Sequence, residues 1–137
     1  MITYLLDTNI CIYIIKRKPL EVFARFQMLS PGSIGISSIT VAELVYGVNK
    51  SSFPEKNQDA LQQFFLPLEI LDFGNNAAIH YGNIRSKLEK NGTPIGPLDT
   101  LIGAHALSLN ATLVTNNLKE FSRIEGLLTE NWIAADR

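Results

Sequence analysis

Residues 2 to 6, ITYLL, are apolar or β-branched at odd and even positions alike. A half-exposed strand would alternate apolar with polar. A run that is apolar on both faces predicts a central strand with helices on each side. The period then lengthens. Residues 9 to 16 read as a short helix, and Pro19 suits the first turn of another over 19 to 29, where Leu20, Phe23, Phe26 and Leu29 recur every three residues. Ser30-Pro31-Gly32 stops that helix, and a short strand is expected over 33 to 37.

The stretch from Thr40 to Glu43 has the spacing of a capping box, with Thr40 as cap and Glu43 in the first turn of a helix that continues through Leu44 and Val48. Beyond a break at Ser51 to Pro54, a helix over 55 to 65 leads to a strand over 68 to 73. A strong helix over 74 to 91 follows, striped by Ala77, Tyr81, Ile84 and Leu88. A loop dense in glycine and proline, 91 to 97, precedes a helix over 98 to 109 that buries Leu98, Ile102 and Leu109. A strand over 111 to 115 comes next, Asn116 and Asn117 turn out of it, and Leu127-Leu128 suggests a last short strand. This alternation predicts an α/β fold with a central, mainly parallel sheet, as one domain over residues 1–137 without repeat or linker.

A chain of 137 residues has a radius of gyration of about 14 Å and buries roughly two thirds of its unfolded surface. With 46% apolar and 18% charged residues it has the composition of a folded globular domain. The net charge of −1 gives no bulk attraction for nucleic acid, so phosphate contacts would need local patches. Lys16-Arg17-Lys18 is the densest, followed by Arg85, Lys87 and Lys90; a solvated helix face or helix end is the plainer reading of both. Cys11, the only cysteine, excludes an internal disulfide and reads as a small core residue. Asp7 and Asn9 interrupt the N-terminal apolar run, so no signal peptide or membrane span is expected and the location reads as cytoplasmic.

Three acids occupy equivalent places in this scheme. Asp7 follows the first strand, Glu43 opens the helix after the second, and Asp99 opens the helix leading into strand 111 to 115. Singly, each has a structural explanation: Asp7 as a helix cap, Glu43 as half of a capping box, and Asp99 as a partner for a helix dipole. Jointly, they can converge beyond the carboxyl ends of parallel strands, where ligands collect. Clustered carboxylates call for a cation, and hard oxygen donors favour Mg²⁺, with Mn²⁺ as a substitute, over zinc. Such an ion activates water for attack on a phosphodiester. Asn9 can hold Asp7 or the local turn, Thr115 and Asn117 can orient ligand waters or a phosphate oxygen, and Glu120 can serve as a fourth acid or an outer partner. His80 and His105 read as packing or surface residues. A DNA nuclease, a phosphatase, or a noncatalytic protein-binding domain with an acidic cleft fits the same acids.

The segments MITYLLDTNICIYII, SSITVAELVYG, PLDTLIGAHAL and LVTNNLKEFSRIEGLLTENW together resemble the PIN-domain ribonuclease toxins of the VapC type, over nearly the whole chain. The resemblance implies a three-layer α/β/α fold and RNA cleavage with Mg²⁺ or Mn²⁺. Its core acids would be Asp7, Glu43 and Asp99. Many PIN domains carry an aspartate where this chain has Asn117, whereas Glu120 matches the acid of the TNN...EF subgroup. The resemblance further implies a homodimer and a cognate VapB-type antitoxin that blocks the acidic cleft and alone contacts operator DNA. Relatives in this subgroup cut the anticodon loop of initiator tRNA, which makes that RNA the expected substrate. Tyr13, Phe23, Phe26 and Tyr46 are candidates for a dimer surface or for internal packing.

Overall fold

The structure, a computed structural model, describes residues 2–134. The elements follow in the order β1 (Tyr4–Leu6), α1 (Thr8–Lys16), α2 (Leu20–Met28), β2 (Ile34–Ser37), α3 (Ser38–Asn49) and α4 (Pro54–Phe65). They continue with β3 (Glu69–Leu71), α5 (Asn75–Lys90), α6 (Pro97–Ser108), β4 (Thr112–Val114), α7 (Leu118–Phe121) and β5 (Thr129–Glu130). The sheet order is β3-β2-β1-β4-β5 and every pairing is parallel. The first strand is therefore central, and the chain steps outward from it in both directions.

Successive side chains of a strand point to opposite faces, and that alternation builds three layers. Leu5 and Leu113 join Ile84, Leu88, Ile102, Phe121 and Ile124, the layer of α5, α6 and α7. Leu6 and Val114 join Ile10, Ile14, Val22, Leu61 and Phe64, the layer of α1, α2 and α4. All four strand residues are fully buried, as the doubly apolar ITYLL run requires. The architecture is a three-layer α/β/α sandwich of the PIN-like kind. Among the described residues no helix is long and apolar enough to cross a membrane.

Several local expectations need correction. Thr40 does not cap α3, because the Ser37 hydroxyl accepts the Ile39 N–H at 3.1 Å and starts the helix three residues earlier. Glu43 consequently lies in the second turn. Pro19 precedes α2 as its cap residue rather than entering the first turn. Leu98, in the first turn of α6, is 46% exposed rather than buried. The last strand is Thr129–Glu130 rather than Leu127-Leu128, and α7, too short to show a period, was not foreseen. Cys11 is buried in the core, as read. Of the four candidate surface aromatics, Tyr13, Phe23 and Phe26 pack against the core and Tyr46 stands out from it.

The far edge of the sheet is clipped to α2. Trp132 meets Tyr4 edge-on with ring centroids 5.8 Å apart, and its indole N–H donates to Glu130 at 3.0 Å. The same carboxylate oxygen accepts from Arg25 of α2 at 2.8 Å, and that guanidinium lies over the Trp132 ring.

Gly35, in β2, shows how closely the strands and their covering side chains pack. A Cβ there would lie 2.9 Å from Leu71 Cδ1 and 3.0 Å from the Glu69 carbonyl oxygen, and the carbonyl belongs to a paired strand and cannot swing away. Gly35→Ala is expected to cost about 1–3 kcal/mol, read as a lowered midpoint in urea unfolding; an unchanged midpoint would show that the strands can part without loss.

Candidate functional site: an acidic crevice at the switch point

The chain leaves β1 toward β2 on one side, and β4 returns on the other, so the crevice between the carboxyl ends of β1 and β4 is the topological switch point of the sheet. Asp7 directly follows β1, and its N–H donates to the Val114 carbonyl at 3.0 Å. Its carboxylate accepts the Ile10 N–H at 2.9 Å, so Asp7 caps α1 and faces the crevice at once. Thr115, just past β4 and completely buried, supplies a second hydrogen bond to Asp7. The Thr115 hydroxyl also accepts the Asn117 N–H at 3.0 Å, which fixes the turn into α7.

Asp7 is only 4% exposed. Burial pushes its carboxyl up to about 6; the hydrogen bonds from Thr115 and Ile10 oppose that rise, and the negative charges of Asp99 and Glu43 add to it. Asp99, in the first turn of α6, is raised by burial and then by Glu120 and Glu43. These mutual effects tie Asp7, Glu43, Asp99 and Glu120 to one crevice. Asn117 contributes its backbone to the turn and stands half-buried at the head of α7, which carries Glu120.

Thr8, for which the sequence suggested no role, holds Glu43; Asn9 was expected to hold Asp7 or the local turn. The Thr8 hydroxyl donates to Glu43 Oε1 at 2.7 Å and lies 3.4 Å from the Thr40 hydroxyl, whereas Asn9 is exposed. The only signal for Thr8 was a hydroxyl next to an acid, and that becomes informative only once α3 is known to cross α1. The histidines stay outside the crevice, as expected. His80 Nδ1 is 2.9 Å from the Asn76 carbonyl oxygen, and His105 is buried against Ser37 Oγ at 2.8 Å and the Phe73 ring.

Among the described residues no group of three or more His, Cys, Asp or Glu side chains closes into a ready-made metal cage. The acids line an open crevice instead. The donor set nevertheless fits a hard divalent cation: it is all oxygen, among the described residues no cationic side chain is paired with Asp7, Glu43 or Asp99, and the Asp7 and Asp99 carboxyls are raised by burial and by the neighbouring acids. Magnesium retains several of its waters, which suits carboxylates that do not all touch one point.

The PIN domain profile matches residues 4–127 of the chain. A ribonuclease VapC2 from Haemophilus influenzae is 50% identical over 133 residues, covering 97% of this chain and all of that protein. The chain belongs to the PIN-domain toxins of the VapC type. Such toxins are one half of a toxin–antitoxin system, and the family is one of ribonucleases. A VapC from Salmonella typhimurium, named a tRNA(fMet)-specific endonuclease, is 48% identical over 132 residues and covers 96% of this chain and 99% of its own length. The crystal structure of DNA-bound VapBC from Salmonella typhimurium superposes with a TM-score of 0.91 at 47% identity, covering 97% of this chain and all of the matched one.

The buried acid carries a pH signature in metal-free protein. A carboxyl whose folded value lies above its unfolded 3.8 stabilises the fold below that value, and this advantage is lost as pH rises through about 6. Asp7→Asn keeps a capable cap and removes the charge. We expect it to exceed the wild type in stability by up to about 3 kcal/mol near pH 8, with the gain disappearing near pH 4, by urea unfolding in EDTA. A difference independent of pH would show that Asp7 is not held in its raised state by burial.

Proposed function

We propose that this VapC-type toxin is a Mg²⁺-dependent endoribonuclease in which Asp7, Glu43 and Asp99 are the catalytic, metal-holding acids. Glu120 and Asn117 complete the rim. The observation that carries this reading is the convergence of four mutually repelling carboxylates on the β1/β4 switch point, with Asp7 raised to about 6. Mn²⁺ would serve as a substitute, being matched to the same oxygen donors.

When bound, Mg²⁺ supplies positive charge that activates water and steadies negative charge building on the phosphodiester. The residues of this chain do the placing. The strand end and the Ile10 N–H hold Asp7, the Thr8 hydroxyl pins one oxygen of Glu43, and the first turn of α6 brings in Asp99. Glu120 lies beside Asp99 and serves as the fourth acid, while Asn117, at the start of α7, orients water or a phosphate oxygen. Hydrolysis joins the water oxygen to phosphorus and breaks the bond to the leaving ribose oxygen.

The substrate we assign is initiator tRNA, cut in its anticodon loop, by analogy with the tRNA(fMet)-specific relative at 48% identity. The partner is a VapB-type antitoxin, as in the solved VapBC complexes, with operator DNA contacted through the antitoxin. A cavity of about 410 Å³ between α1, α3 and α4, walled by Ile12, Leu44, Val48 and Leu61, opens beside Glu43. An apolar antitoxin segment lying there would bring a basic side chain to the acids and neutralise them.

Incubating the antitoxin-free toxin with total RNA and Mg²⁺, then sequencing new RNA ends, is expected to yield discrete cuts in the initiator tRNA anticodon loop. Asp7→Asn or Asp99→Asn should slow cleavage at least about 100-fold, and EDTA should stop it. Cuts elsewhere would overturn the substrate, cuts that persist in EDTA would overturn the metal, and no cuts in RNA, with single-stranded DNA cleaved in a parallel incubation, would overturn the ribonuclease reading.

A second consequence concerns the late acid. If the carboxylate of Glu120 rather than the amide of Asn117 fills the fourth position, Glu120→Gln should lower the cleavage rate at least about tenfold, and Asn117→Ala should lower it less. The reverse order in single-turnover rates would assign the role to Asn117.

A further inference from the structure

Beyond the acids, α3 carries a feature that neither the core nor the crevice uses. Glu43 and Tyr46, three residues apart, share one face of the helix, and Lys50, the residue that caps its C-terminal end, follows four residues on and reaches back over Tyr46. At 1.5 Å per residue, Tyr46 lies about 4.5 Å and Lys50 about 10 Å along the axis from Glu43. The Tyr46 ring is 65% exposed even though the Lys50 ammonium sits over it at 5.0 Å from the centroid. Beside it, a Cβ at Gly47 would meet no atom within 4 Å, and Gly47 lines the same cavity as Glu43.

An isolated exposed aromatic needs no explanation. This one is set apart by its line with Glu43 and by the Lys50 cation that lies over its ring. The net charge of −1 offers no general pull on RNA, so a polyanion next to an acidic crevice needs cations close by. Lys16, which shares the cavity with Glu43, and Lys50 are so placed. An aromatic face joined to a cation is the pairing that holds single-stranded nucleic acid, through base stacking and phosphate contact.

We infer that the Glu43–Tyr46–Lys50 face of α3 is the track for single-stranded RNA leading away from the scissile bond: Tyr46 stacks a base and Lys50 holds a neighbouring phosphate. This rests on the ribonuclease reading above and adds the direction in which the strand runs.

The test uses the whole toxin and a fluorescein-labelled, unstructured oligoribonucleotide of about 12 residues as probe, with binding measured in the Asp7→Asn background and cleavage in the wild-type background. Tyr46→Leu is expected to weaken binding and raise KM roughly 5- to 100-fold, while Tyr46→Phe stays near wild type because the ring is kept. Lys50→Gln should flatten the slope of log affinity against log salt by about 0.7. The thermal midpoint should not move in any of these variants, since both side chains are exposed. Wild-type binding and KM for Tyr46→Leu, with RNA still cleaved, would overturn the track and leave the ribonuclease reading standing. A dimer that becomes a monomer on Tyr46→Leu in size-exclusion chromatography would also overturn it, by giving the face to a second copy of the chain. If the wild type neither binds nor cleaves RNA, the ribonuclease reading falls and the track with it.

Discussion

Everything at the site depends on one carboxylate held where a buried strand becomes a helix. Asp7 donates its backbone N–H to β4, accepts the Ile10 N–H of α1 and faces Asp99 and Glu43. Its two roles pull in opposite directions. Capping fixes the group and favours its charged form, whereas burial next to other acids disfavours that form. The raised value of about 6 records the outcome: burial outweighs the cap. Such a group is poised for a cation, because a cation removes the largest cost while leaving the hydrogen bonds intact.

The same tension explains why the crevice is open. Four carboxylates packed into one closed pocket would each pay for desolvation and for mutual repulsion. Here Asp7 is nearly sealed, while Glu43, Asp99 and Glu120 keep some contact with solvent. Thr8 takes up one oxygen of Glu43, and Thr115 serves Asp7 and the turn of Asn117 together. Two hydroxyls thus do locally what basic side chains would otherwise do, without introducing a charge that would compete with a metal ion.

Much of this was legible in the residues. The ITYLL run announced a doubly covered strand, the alternation of periods announced the parallel sheet, and the places of Asp7 after β1 and Asp99 in the first turn of α6 were readable, whereas Glu43 lies a turn further into α3 than its spacing from Thr40 suggested. The sequence misled where two neighbouring hydroxyls competed. Ser37 and Thr40 both have capping chemistry, and the earlier one prevails because β2 ends there. Thr8 could not be read from its neighbours, because its bond to Glu43 spans 35 positions. The four residues of α7 are too few to display a helical period, yet they carry Glu120. Long-range contacts and very short elements have no local signature.

The clip at the far edge has a consequence for the order of events during synthesis. The ring of Trp132 completes the surroundings of Tyr4, and β1 pairs with β4, more than a hundred residues later. The first acid made therefore waits for the last ones. On a ribosome, which releases the N-terminal end first, β1 stays unpaired on one side until β4 has emerged. The crevice between β1 and β4 therefore takes shape only after residues 112–114 have been made, however early Asp7 appears.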